Sequence, residues 1–494
     1  MRTSLDQLNF NNRFGQLPDV FYTRLQGTPL DNPKLVAVSQ KAADLLDLEL
    51  SDTCKEQLTQ MGGGSIFPED SDPLAMIYSG HQFGSYNPQL GDGRGLLLGE
   101  VINKKGEIWD LHLKGAGMTP YSRFGDGRAV LRSCIREYLA SEALFHLGIP
   151  TTRALCVVTS DTPVYRETEE RGSTLLRMAK THIRFGHFEY FYYTKQHEAL
   201  ETLVEFTIQN YFSERIDFSG QPDKNDKYSL FFKAVVEKTA HMIALWQANG
   251  FAHGVMNTDN MSILGETFDY GPYGFQDDFN WHFICNHSDH SGRYAFSQQP
   301  DIGYWNCGRL AQAFLPLLED ISTLQKILDS YPALYSTKYL SLMSEKLGLQ
   351  EEEPEDSDLI KDLLQQLHDQ RLDYTLFFRT LSDYRAGQGV SAFIALCSEP
   401  EFLKKWLQRY DERIRRNPEP EQQRHERMKQ INPKYILRNY LAQTAIEKAE
   451  KGDYSEIDQL MKVLQSPYDE HPDLGHYAQK PPEWSKKLEV SCSS

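Results

Sequence analysis

Residues 253–271 read HGVMNTDNMSILGETFDYG, and this stretch restricts the architecture of the chain more than any other. A His-Gly turn opens it. Asp259 and Asn260 stand side by side, a short apolar run follows at 261–264, and Phe268-Asp269-Tyr270-Gly271 closes it. The apolar run reads as a buried strand or turn. Asn260 and Asp269 therefore present side-chain oxygens on either side of a short apolar connection. That pairing suits a hard cation such as Mg²⁺, which takes oxygen ligands and keeps positions for water and substrate phosphates.

Protein kinases use the same logic. A catalytic-loop Asn and the Asp of an Asp-Phe-Gly motif hold the metals on ATP, and the loop runs H-R-D-x-x-x-x-N. His253 and Asn260 have the spacing of that His and Asn. Val255 stands where the catalytic Asp would be, and Asp259 is the nearest replacement.

Upstream, GHQFGSYNPQLGDGRGLLLGE places Gly91-Asp92-Gly93-Arg94-Gly95 ahead of a Leu-rich run. Glycines let a backbone approach a ligand closely, so these N–H groups and Arg94 can meet phosphate or adenosine. The other reading is a hairpin turn, for which Asp-Gly is a strong signal. Residues 107–114, EIWDLHLK, alternate as a strand, with Trp109, Leu111 and Leu113 on one face and Asp110, His112 and Lys114 on the other. Lys114 is then either a solvated strand-end lysine or the counterpart of the kinase phosphate lysine.

A second glycine-rich loop, 115–128, carries Arg123, Asp126, Gly127 and Arg128, and a helix is predicted over 129–147, stopped by Gly148 and Pro150. Glu137 adjoins its apolar stripe and is a candidate to orient Lys114, or else an ordinary surface glutamate. Strands are expected at 151–158 and 174–178 around a charged hairpin at 161–171. Arg177, Lys180, His182 and Arg184 follow, as a solvated face or a phosphate pocket. Arginine suits the pocket because its planar fork binds phosphate oxygens in pairs.

Residues 1–75 read as an irregular extension with one helix over 32–48, and the Gly62-Gly63-Gly64 triplet as a plain loop. Helical patterns occupy 198–212 and 228–249. His282, Cys285, His287 and His290 are zinc-ligand types, but their spacings fit no common finger. The rest is mainly helical, most clearly at 310–328, 335–347, 358–369 and 441–449. Acidic residues 351–358 form a solvated linker.

Composition excludes some classes. A net charge of −17 argues against nucleic acid as the main partner. Seven scattered cysteines without a CxxC pair suit a reducing compartment. No apolar run approaches a membrane span, and the N-terminus has no signal-like core. These features lead to the expectation of a soluble, cytoplasmic protein that engages neither nucleic acid nor membrane.

Taken together, HGVMNTDNMSILG, FDYGPYGFQD, GDGRG, LKGAG, SRFGDGR and NPKYILRNYLAQ resemble the selenoprotein O family over essentially the whole chain. The resemblance implies an α+β, protein-kinase-like bilobal fold with an N-terminal extension (1–75), a nucleotide-binding core (76–330, its lobes meeting near 190–195) and a largely helical C-terminal region (331–494). It implies transfer of AMP from ATP to Ser, Thr or Tyr hydroxyls of proteins, with ATP flipped relative to kinases. UMP transfer from UTP, favoured by Mn²⁺, is attributed to bacterial members. By the same resemblance Asp259 acts as the base, while Asn260 and Asp269 bind Mg²⁺ or Mn²⁺. Gly91, Gly93, Arg94, Asp126 and Gly127 line the nucleotide. Lys114, oriented by Glu137, holds phosphates, and Arg177 and Arg184 clamp the buried end of the triphosphate. Animal members carry selenocysteine near the C-terminus, where this chain has Cys492, and Cys285 is the matching partner for a redox disulfide. Two other readings remain: a kinase-type phosphotransferase using Asp259, and an inactive nucleotide-binding pseudokinase.

Overall fold

The computed structural model describes residues 3–214, 216, 223–388, 393, 396–397 and 400–491. The fold is α+β. Among the described residues, eight strands form one antiparallel sheet. Its order is Tyr22–Arg24, Leu74–Met76, Gly95–Ile102, Ile108–Lys114, Glu169–Ala179, Arg153–Tyr165 and Lys34–Val38, with Ala129–Val130 pairing Glu169–Ala179 beyond the end of Lys114.

Both faces of the central strands are covered. Leu97, Val157 and Leu175 pack toward the helix Leu131–His146. Leu96, Leu98, Leu111, Leu113 and Leu176 pack on the other side against Ala42, Leu46, Leu58 and Met61 of the N-terminal segment. The polar residues of Ile108–Lys114 are buried as well: Asp110, His112 and Lys114 do not face solvent.

The N-terminal segment departs from the expected single helix over 32–48. Lys34–Val38 is a strand, the helix is confined to Gln40–Leu45, and a second helix runs Asp52–Gly62. The Leu-Val-Ala-Val run favours extended backbone, and Ser39 then caps the helix by accepting from Ala42 N. Tyr22–Arg24 and Lys34–Val38 lie at the two ends of the strand order, so this segment closes both edges of the sheet.

Below the sheet, Lys224–Ala248 is the longest helix among those described, and Phe231, Phe232, Val235, Ile243 and Trp246 bury it in the main core. Trp246 Nε1 donates to Thr267 Oγ1 (2.9 Å), which fixes its end beside residues 253–271. The helix expected over 310–328 is broken. Gln299–Phe314 ends in a 3₁₀ turn at Leu315–Leu317, and Ser322–Asp329 is separate. Pro316 accounts for the break, since it cannot continue the i→i−4 ladder. A further core cluster joins Asp356–Asp369, Tyr374–Leu381 and Pro400–Ile414 through Leu363, Phe377 and Trp406. Asn439–Ala449 and Ser455–Leu464 return to pack on Leu131–His146. Cys492 lies outside the described residues.

Candidate active site

Where the sheet meets the helical part, a cleft of about 510 Å³ opens. Gly91, Gly93, Arg94, Lys114, Asp126, Gly127, Arg177, Arg184, Asp259, Asn260 and Asp269 all line it. Residues up to 178 positions apart (Gly91 and Asp269) are thus gathered in one place.

The two glycine-rich loops are laced together. Thr119 Oγ1 donates to Asp92 O (2.8 Å), Ser122 Oγ to Gly93 O, and Gly117 N to Gly127 O (3.0 Å). Gly127 has φ +69°, and a Cβ there would stand 2.1 Å from the Gly117 carbonyl. Only glycine fits this crossing. Asp126 is already engaged: Arg166 donates to both carboxylate oxygens (2.7 and 2.9 Å). Arg94 is exposed at the cleft wall.

Lys114 ends its strand with Nζ bonded to Glu137 Oε2. Arg177 Nη1 donates to the other Glu137 oxygen (3.2 Å) and to Asp269 Oδ1, and Arg184 Nη1 donates to Asp269 Oδ2. Three cations and two carboxylates therefore form one buried chain. Burial alone would raise the Glu137 carboxyl, but Lys114 and Arg177 hold it below its usual value. Burial likewise works against the charge on Asp269, and Arg177, Arg184 and Lys114 outweigh it, holding that carboxyl well below the usual range. Asp269 sits at φ +54°, a left-handed conformation uncommon for a non-glycine residue. Arg184 lies over the rings of Tyr78 and Phe268, 4.6 Å from each centroid, and its Nη2 is buried without a hydrogen-bond partner among the described residues.

The 253–260 loop is held from several sides. His253 accepts at Nδ1 from Val255 N (3.3 Å) and donates from Nε2 to Phe268 O (3.0 Å), linking this loop to the Asp269 segment. Burial lowers its pKa to about 4, so it is neutral. Val255, which has the sequence spacing of the kinase catalytic Asp, lines the cleft. Asn260 Nδ2 donates to Val255 O (3.0 Å), which aims its carbonyl oxygen elsewhere. Asp259 is tied down by its backbone: Arg184 Nη1 donates to its carbonyl (2.8 Å). Its Oδ2 accepts from Gln82 Nε2 (3.0 Å), while Oδ1 is buried with no hydrogen-bond partner among the described residues. Burial pushes its pKa up to about 7, against the opposing pull of Gln82 and Arg184.

Some of this was invisible in the sequence. The hairpin of Gly80–Gln82 and Ser85–Asn87 reaches the 257–260 loop across 177 positions. His81 N donates to Thr258 Oγ1 (2.7 Å), Thr258 donates to Glu189 (2.6 Å), and Phe83 N donates to Tyr294 OH (2.9 Å). Gln82 carries no local signal of its role. His112 and Asp92 do, since His112 shares the strand face of Lys114 and Asp92 lies inside GDGRG. His112 Nε2 is 3.3 Å from Asp92 Oδ2, and Arg177 Nε donates to His112 Nδ1 (3.3 Å).

Among the described residues no group of three or more His, Cys, Asp or Glu stands at metal-holding spacing, the 282–290 cluster included. A Mg²⁺-type site needs fewer protein ligands, because phosphate and water complete it. Asn260 and Asp269 fit that chemistry: both line the cleft, and Asp269 keeps 19% of its side chain exposed. Cys285 is buried on the Gly254 turn, with Sγ donating to Ala252 O (3.4 Å). The C-terminal segment runs beside it, His287 N donating to Val490 O (2.9 Å).

A family model described as protein adenylyltransferase SelO matches residues 4–465. The chain is 54% identical over 492 residues to protein nucleotidyltransferase YdiU of Pseudomonas fluorescens strain SBW25, covering 99% of this chain and 100% of that one. It is 52% identical to the protein of that name from Stutzerimonas stutzeri strain A1501 and 51% to that of Pseudomonas aeruginosa strain UCBPP-PA14, each over 491 residues, with 99% of this chain and 100% of the relative covered. No described helix is long and apolar enough to cross a membrane.

Proposed function

The chain belongs to the protein adenylyltransferase SelO family and transfers nucleotidyl groups to proteins; we propose that it does so with ATP turned round relative to a kinase, the α-phosphate beside Asp259 and the β- and γ-phosphates on Lys114, Arg177 and Arg184. The observation that carries this reading is the unengaged Oδ1 of Asp259. The other carboxylates of the cleft wall, Asp92, Asp126 and Asp269, are committed to hydrogen bonds or arginines.

In this mechanism the Asp259 carboxylate accepts the proton of a Ser, Thr or Tyr hydroxyl as its oxygen attacks the α-phosphorus, and pyrophosphate leaves. Gln82 orients the carboxylate and Arg184 holds its backbone, so the base and the phosphate clamp share one side chain. Lys114, Arg177 and Arg184 neutralise charge that builds on the departing phosphates. Glu137 keeps Lys114 and Arg177 in place. Asn260 and Asp269 are the residues that would hold Mg²⁺ or Mn²⁺. That ion supplies Lewis-acid neutralisation of the triphosphate. The glycine-rich loops and Arg94 border the nucleoside. ATP is the donor in this reading, with UTP as the second candidate. Its sparse cysteines suit a cytoplasmic protein.

A redox control accompanies this reading. Cys285 lies against the Gly254 turn of the catalytic loop, and the tail that leads to Cys492 passes at His287. A Cys285–Cys492 bond would fasten the tail to that loop. Equal activity of wild type and Cys492→Ala in oxidising and reducing buffer removes this part.

The deciding experiment supplies ATP labelled at either the α- or the γ-phosphate, with Asp259→Asn and Asp269→Ala as controls. Protein labelled only from the α-position, and lost in both variants, is the expected result. Label arriving from the γ-position would mean kinase chemistry and the opposite orientation of ATP.

A further inference from the structure

Beside the hairpin that borders the cleft, two guanidiniums lie over the ring of Trp305. Arg293 Cζ is 4.7 Å from its ring centroid and Arg309 Cζ 5.1 Å. Neither arginine forms an ion pair with a carboxylate among the described residues, and the Nε of each is buried without a hydrogen-bond partner. In a chain of net charge −17 such cations stand out. Nearby carboxylates are committed elsewhere. Asp289 accepts from the backbone N–H groups of Arg293 (3.0 Å) and Tyr294 (2.7 Å), and Glu189 is bonded to His81 and Thr258.

The position of the pair links it to the chemistry. Trp305 meets the His81 ring edge-on at 5.3 Å, and a Cβ at Gly84 would stand 3.2 Å from Arg293 Cζ. Between those contacts, on the same hairpin, Gln82 holds Asp259 and the 40%-exposed Phe83 packs on Tyr294. Neither arginine lines the nucleotide cleft itself.

We propose that Arg293, Trp305 and Arg309 form a docking site for the acceptor protein, and that the site selects acidic residues a few positions from the modified hydroxyl. Guanidinium forks match carboxylates in bidentate pairs. Stacking on one indole holds both forks in place, so less freedom is lost when a carboxylate binds. The occupant is an acidic segment of the substrate protein, and the proposal rests on the reading that the acceptor hydroxyl approaches Asp259.

The test uses the full-length enzyme with α-labelled ATP, Mg²⁺ or Mn²⁺, and two synthetic peptides. Both carry the same central Ser, Thr or Tyr. One is flanked by Asp and Glu, the other by Asn and Gln. Wild type is expected to favour the acidic peptide by about tenfold in kcat/KM, mainly through KM. Arg293→Gln with Arg309→Gln brings the two peptides within about twofold, while the KM for ATP stays unchanged. Arg293→Glu with Arg309→Glu shifts the preference to a Lys-flanked peptide, which shows that the fold survives the changes. Equal use of both peptides by wild type, or a preference that survives in the double Gln variant, overturns the docking site alone. Absence of α-label from every acceptor, the enzyme itself included, overturns the transfer reading and this one with it.

Discussion

Asp269→Ala removes one of the two carboxylates that offset Lys114, Arg177 and Arg184, leaving three cations against Glu137 alone. Breaking a buried pair from one side costs about 3–5 kcal/mol. Solvent reaches part of Asp269, which is 19% exposed, so the lower end, about 3 kcal/mol, applies. Unfolding entropy of about 2.1 cal/mol/K per residue over 494 residues amounts to about 1 kcal/mol/K. The melting temperature should therefore fall by about 3 °C in a single cooperative transition. In the proposed orientation ATP delivers phosphate charge to the same guanidiniums. In EDTA it should raise the melting temperature of the variant more than that of wild type, although transfer of α-label falls by at least about 10³. Asp269→Asn, which keeps a hydrogen-bond acceptor, should fall between. Differential scanning calorimetry with and without ATP reads the melting shifts, and transfer from α-labelled ATP reads the loss of activity. A variant that melts with wild type, or ATP stabilising wild type the more, would refute the account of Asp269 as counter-charge to the clamp.

Other expectations follow from single contacts. Gln82→Leu removes the donor to Asp259 and should lower kcat about tenfold or more, the worth of one hydrogen bond to a charged group, with ATP affinity by calorimetry unchanged. His187 is buried, its Nδ1 accepts from Arg184 N, and burial lowers its pKa from 6.5 to about 3. A depressed folded-state value means that its contribution is present above pH ~6.5 and is lost as pH falls toward about 3. Between pH 7.5 and 5.5 wild type should lose about 1.4 kcal/mol through this group that His187→Gln does not lose, read by urea unfolding. Equal losses would exclude the assignment. Arg438 is buried between Asp277 and Asp373. Its change to Ala should cost about 3–5 kcal/mol and shift the urea midpoint well below that of Lys448→Ala, whose ion pair with Glu456 is exposed on the lysine side.

The parts of the site that were legible in the sequence are those with local signatures. The strand ending at Lys114, the helix carrying Glu137 and the loop holding Asp259 and Asn260 each follow from periodicity or spacing within about twenty residues. The structure adds what depends on distant partners. Lys114 meets Glu137 only because the sheet places the strand over the helix Leu131–His146. Asp269 receives two arginines from the end of another strand and the turn after it. Gln82 was missed because nothing within GHQFG distinguishes a residue that holds a base from one that turns a hairpin. The N-terminal region was misread for a related reason. Leu35, Val36 and Val38 match a helical stripe as well as a strand, and the choice is made by pairing with Arg153–Tyr165. At 310–328 the apolar periodicity continued through Pro316, whose missing N–H outweighs it.

The hairpin at residues 80–87 also bears on how chains of this kind can diverge. A Cβ at Gly80 would come within 2.8 Å of Asp259 Oδ1, and one at Gly186 within 2.1 Å of Ser79 O. Asp259, the proposed proton acceptor, is thus seated by backbone from far earlier in the chain. Recombination between relatives near residue 190 would inherit Asp259 from one parent and its seat from the other. Such hybrids should fold and bind nucleotide yet transfer poorly, unless the two segments are inherited together.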